Sequence, residues 1–97
     1  MQKDLFKEKL YRDFQQDLYR VLNITLQDYV AVHASHGENP ILRFEELYRD
    51  RGASAMRAEM QSSILFMRVA RDETNLGRTM DWAEITELGR KLRLQTR

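Results

Sequence analysis

The stretch His33-Ala34-Ser35-His36-Gly37-Glu38-Asn39 gathers the side chains best suited to acid–base or metal chemistry. Two imidazoles near a carboxylate are components of a zinc site. Gly37 puts the stretch at a helix end, however, where the helix dipole also favours histidine. Two ligands and a third across a glycine do not specify a metal, so no metal and no cofactor are expected. Ser35 lies between the histidines, but adjacent residues on a helix diverge, and neither ring is placed as its base. The chain has no Gly-rich phosphate loop, no nucleophile elbow and no H-E-x-x-H pattern. Its carboxylates mostly have a basic residue three or four positions away, as on solvated helix surfaces. No catalytic residue is expected.

A second constellation is basic. After Glu87 the chain carries Arg90, Lys91, Arg93 and Arg97 without an acid, and the three arginines share a helix face. Arg57, Arg68, Arg71 and Arg78 lie upstream, and two helices joined by "TNLGRT" resemble a helix-turn-helix in outline. Two features oppose a nucleic-acid reading. The connection is long for that motif, and the last helix begins with acids and ends with bases, as its macrodipole alone would favour. Formal net charge is only +1, from 16 Lys and Arg against 15 Asp and Glu. That balance argues against strong nonspecific attraction to nucleic acid or anionic membrane.

The elements that must position these residues are helical. Phe6, Leu10, Tyr11, Phe14, Leu18, Val21 and Leu22 fall on an arc about 160° wide, which makes residues 2–22 an amphipathic helix. Thr25 with Asp28 then opens a second helix over 26–35, although "DYVAVHAS" also alternates as a strand would. A single strand would have nothing to pair with except a second copy, and helix is the reading taken. Asn39-Pro40 starts a third helix over 40–51, closed by Gly52. Ser54 caps a fourth over 55–72, polar only along Arg57, Gln61, Arg68 and Asp72, and therefore central. Ser62 and Ser63 are expected to bond back to the preceding turn. "DETNLGRT" reads as a loop, and Asp81 with Glu84 caps a last helix over 82–94. There Trp82, Ile85, Leu88 and Leu92 share a face with Gly89, whose missing side chain allows close approach.

"LFKEKLYRD" at 5–13 and "LRFEELYRD" at 42–50 match at six of nine positions. The match does not extend to the flanking residues, which excludes a helical repeat array. The tripeptide Leu-Tyr-Arg, at 10–12, 18–20 and 47–49, resembles the signature of the LYR-motif proteins, small three-helix subunits and assembly factors that bind acyl carrier protein. The likeness covers three residues at a time, and the near-neutral charge departs from that basic family, so no site residue is carried over. Locally, each copy offers a Glu-to-Arg surface pair, Glu8 with Arg12 and Glu45 with Arg49.

Ninety-seven residues, 42 % apolar and 32 % charged, make one small folded domain over 1–97. Cysteine is absent, so disulfides and thiolate chemistry are excluded. No run approaches the roughly 18 apolar residues of a membrane span, and the N-terminal stretch is not a signal peptide, so a cytoplasmic location is expected. The expectation is an all-α, single-domain bundle of about five helices, completed by self-association. Its function would be binding without catalysis, as a homodimer or as a subunit docking on a larger protein. Phe6, Leu10, Tyr11, Phe14 and Leu18 are the expected self-association surface. The alternative is a nucleic-acid-binding regulator that uses Arg90, Lys91, Arg93 and Arg97 as phosphate contacts.

Overall fold

A computed structural model describes residues 4–74 and 82–95, which form five α-helices and, among the described residues, no strand. The architecture is the expected all-α bundle. α1 spans Leu5–Asp17 and begins at Asp4, whose side chain accepts from the Lys7 amide at 3.0 Å. The helix does not continue unchanged to residue 22. Leu18–Leu22 is a π-helical turn, ended by Asn23 in the left-handed region at φ 59°. The pattern of buried residues accounts for it. Leu10, Phe14, Leu18 and Leu22 recur every four positions and are all buried. In an α-helix that spacing drifts by about 40° per step. The wider π turn rotates less per residue and brings the stripe back toward the core. Arg71 donates to the Val21 carbonyl at 2.8 Å, satisfying one acceptor of this turn.

α2, Leu26–Ala34, is a helix with a reciprocal capping box between Thr25 and Asp28, both bonds at 3.1 Å. Gly37 takes φ 74° in the turn that follows, and Asn39 caps α3, Pro40–Arg51, by accepting from the Leu42 amide. A single residue, Gly52 at φ 91°, separates α3 from α4, Ala53–Thr74. The expected cap at Ser54 is corrected: the Met56 amide donates to the Gly52 carbonyl, so the helix starts at Ala53 and holds Ser54 in its first turn. α4 is central, as expected, and contacts α1, the π turn, α3 and α5. Arg57, Gln61, Arg68 and Asp72 are exposed, with Leu65 among them. α5 spans Trp82–Gln95. The expected Asp81 half of its capping box, most of the expected loop, and Arg97 lie outside the described residues.

Two contacts organise the core. Phe14 meets Tyr29 and Phe44 edge-on at 5.0 and 5.3 Å between ring centroids, which ties α1 to α2 and α3. A Cβ at Gly89 would lie 2.9 Å from the Phe66 carbonyl oxygen, so α5 rests directly on the α4 backbone as the glycine predicted.

The matched nonapeptides face each other across α1 and α3, and the expected intrahelical pairing is corrected there. Glu45 bonds across to Lys7 at 2.9 Å and to the Tyr11 hydroxyl at 3.2 Å, and Arg49 turns to Asp50. The Tyr48 hydroxyl donates to Asp4 at 2.7 Å, which holds that carboxyl below its usual range. A half-buried partner on the neighbouring helix offers Glu45 a less solvated bond than a largely exposed Arg49 could.

Candidate functional site

A cavity of about 320 Å³ opens between α2, α3, α4, α5 and the turn joining α2 to α3. Its volume is at the lower end of those that hold small molecules. Tyr29 and Phe44, both buried, form its apolar floor together with Phe66 and Met67. Polar groups enter from all four helices and from the turn, and their exposure orders them from depth to mouth.

At depth lie His33 and Thr86, 9 % and 4 % exposed. The His33 ring lies tilted against the Tyr29 ring, 4.1 Å between centroids, and its Nδ1 is 2.8 Å from the Tyr29 carbonyl oxygen. A carbonyl only accepts, so Nδ1 carries the proton, and the neutral ring presents Nε2 as a lone-pair acceptor. Burial favours that neutral form by lowering the imidazole pKa, against the opposing pull of the Tyr29 carbonyl and then of Glu38. The Thr86 hydroxyl, in the second turn of α5, has no hydrogen-bond partner. The Tyr29 hydroxyl is linked to Ser63 at 2.7 Å, so Ser63 bonds to another helix and not to the turn behind it. Burial raises the Tyr29 pKa and keeps the phenol protonated.

Nearer the mouth, Glu59 and Arg93 form a two-pronged ion pair. Glu38 Oε1 lies 3.4 Å from Arg90 Nη1 but makes no hydrogen bond. Arg90 is also 3.5 Å from Glu87. Arg43, exposed on α3, completes the rim. His36 is set apart from His33: its Nε2 faces the Ala83 carbonyl at 2.9 Å, and its Nδ1 lies 3.7 Å from Glu87. Its role is to tie the α2–α3 turn to α5. Among the described residues no group of three or more His, Asp or Glu could hold a metal ion. The Ser35 hydroxyl donates to the Val32 carbonyl.

The sequence-derived surfaces fare unequally. Of the self-association set, Leu10, Phe14 and Leu18 are buried within the chain's own core, Tyr11 is half-buried against Glu45, and Phe6 stands 62 % exposed. The five therefore do not form one outward face. Three belong to the stripe that the π turn redirects inward. Of the basic set, Arg90 and Arg93 line the cavity and face carboxylates, and Lys91 is exposed on α5. Thr86, Arg43 and Glu59 did not emerge from the sequence. Thr86 sits next to Ile85 on the buried side of α5, and that position was the one available signal. A scan against protein-family models and searches of curated proteins and of solved structures each found no match.

Proposed function

We propose that this chain is a small cytoplasmic helical binding protein without catalytic activity, and that the α2–α5 cavity is its recognition site. Thr86 carries the reading. A buried hydroxyl without a partner costs about 1–3 kcal/mol, and such costs are retained where a ligand can supply the missing bond. Catalysis is the weaker reading because the groups that could move protons are held in place. Glu59 is locked to Arg93, and each histidine has a ring nitrogen on a backbone carbonyl. Ser35 and Ser63 each bond to a group that is no general base. A phosphate backbone would have to compete with Glu59 for Arg93 and with Glu38 and Glu87 for Arg90, which lowers the nucleic-acid alternative.

The test is a fragment panel of acids, amines and neutral rings, followed through amide NMR shifts. Shifts that cluster at Phe44, Phe66, Thr86 and Gly89 support the site. A panel that leaves all four unmoved at millimolar concentration ends it.

A second reading, self-association or docking on a larger protein, has an observation of its own. The molecule measures 50 × 27 × 21 Å and exposes 6823 Å², against roughly 5,800 Å² expected for a compact monomer of its mass. The excess is about what one partner contributes to a standard interface. Leu5 and Phe6, 71 % and 62 % exposed, supply apolar surface at one end of α1. Light scattering at micromolar concentration decides the first of these: a mass near 11.6 kDa is the monomer and removes self-association.

A further inference from the structure

The His33 imidazole has bonding capacity left over, and its surroundings say what kind of molecule can use it. Nδ1 is committed to the Tyr29 carbonyl, so Nε2 keeps the lone pair. No hydrogen bond among the described residues uses that lone pair. The residue is only 9 % exposed, yet Nε2 is not sealed from solvent. His33 lines the cavity, and a molecule seated there can meet Nε2 directly.

The walls around the imidazole are aromatic and continuous. Its ring lies 4.1 Å from that of Tyr29, which lies 6.3 Å from that of Phe44 with the two planes 16° apart. Phe66 borders the same cavity and is only half-buried, so part of it stays open. Met67 beside it adds a thioether, which also favours aromatic contact.

The charges are already matched. Glu59 pairs with Arg93 and Glu38 with Arg90, while Arg43 is exposed to water at the rim. Burial keeps His33 neutral. A charged ligand would shed its water at depth without a counter-charge. A neutral donor would instead gain a bond that apolar walls strengthen. About 320 Å³ admits on the order of 10–15 non-hydrogen atoms at protein-like density, room for a fused bicycle.

Resting on the cavity as the recognition site, we propose that its ligand is a small, uncharged aromatic that donates one N–H or O–H bond to His33 Nε2. Recognition then needs one polar contact, at His33, and apolar contact around it.

Indole and benzofuran have nearly the same shape, and only indole carries a donor. The full chain is titrated with each, and with indole-3-acetate. The readouts are the amide NMR shifts of Phe44, Phe66, Thr86 and Gly89 and the nitrogen signal of His33 Nε2. Indole should bind about tenfold more tightly than benzofuran, the worth of one hydrogen bond. Of these two, only indole should move the Nε2 signal. Indole-3-acetate should bind no more tightly than indole. His33→Phe keeps a ring against Tyr29 and removes the acceptor, so it should weaken indole to the level of benzofuran and leave benzofuran unchanged.

Equal binding of indole and benzofuran, an Nε2 signal that indole leaves in place, or a preference that survives His33→Phe overturns the donor assignment. Tighter binding of indole-3-acetate overturns the uncharged class. Should His33→Phe not fold, the preference and the nitrogen signal of the parent still decide. If these fail while other fragments still shift the four amides, only the ligand class falls. If no compound moves them, the recognition site falls with it.

Discussion

The α1–α3 edge and the α2–α5 cavity are built from the same kinds of side chain and end in opposite conditions. Each has at least one tyrosine hydroxyl, a Glu paired with a cation, and further charges around them. On the edge, Lys7 and Tyr11 both donate to Glu45, and Tyr48 donates to Asp4. On the cavity side, Tyr29–Ser63 and Glu59–Arg93 are closed in the same way, but Thr86 and Glu38 Oε1 are buried without hydrogen bonds. The edge encloses no comparable volume, and its groups remain partly solvated. A polar cluster that satisfies itself works as a clamp between helices. One that surrounds space and leaves buried atoms unbonded has capacity for something else.

The largest expected effect comes from the ring that joins the two regions. Phe14→Ala removes both edge-on contacts, to Tyr29 on the cavity floor and to Phe44. It should cost about 3–5 kcal/mol, against a total of about 5–15 kcal/mol for a domain of this kind. Urea unfolding should show a midpoint far below that of the parent. A midpoint near that of the parent would mean that the aromatic stack is not what binds the two regions together.

Gly89→Ala comes next and acts on the cavity side. The new methyl carbon would sit 2.9 Å from the Phe66 carbonyl oxygen, and backbone cannot swing aside as a side chain does. Forcing α5 off α4 should cost about 1–3 kcal/mol, partly offset by about 1 kcal/mol of improved helix propensity. Amide shifts should change at Phe66 and Thr86 and stay constant at Tyr48. Spreading of the shifts to the α1–α3 edge would erase the separation between the regions.

Thr86→Val reverses the sign. Replacing an unbonded buried hydroxyl with a methyl group of similar volume should raise stability by about 1 kcal/mol. Stability gained together with ligand affinity lost is the pattern of a functional position. A variant less stable than the parent would mean that the hydroxyl has a partner in the folded chain, and the cavity would lose its main distinction from the edge.

The two regions were also unequally legible in the sequence. Helix periodicity, the Thr25–Asp28 box, Asn39-Pro40 and Gly52 located the helices, because caps and amphipathic stripes are local signals. Gly89 could be read as a close approach because it interrupts an apolar face. The π turn was hidden, since spacing by fours suits a continuing α-helix until the burial of Leu22 shows the drift corrected. The basic face of α5 was visible, but its carboxylate partners were not. Glu59 is 34 positions from Arg93, and only the packing of α5 on α4 brings them together. Leu10, Phe14 and Leu18, three of the five residues expected to self-associate, are buried for a related reason: a broad apolar arc does not say which of its residues the chain's own helices cover. Thr86 was invisible as a site because an unbonded hydroxyl is a property of the surroundings and not of the residue.

The smallest expected effect belongs to the edge and completes the contrast. Glu45→Gln keeps the shape of the side chain and removes the charge that holds Lys7 and accepts from Tyr11. Lys7 and Glu45 are about a third exposed, 32 % and 40 %, so water screens their attraction. The stability change should fall within the small range of surface ion pairs and shrink further in high salt. The Tyr11 ring remains packed against the core, and Tyr48 still bonds to Asp4, so the helices should keep their places. Ligand titration of this variant should match the parent, because none of Asp4, Lys7, Tyr11, Glu45 and Tyr48 lines the cavity. A large salt-independent loss, or altered binding, would mean that the edge is coupled to the cavity through the Phe14 stack and is more than a clamp.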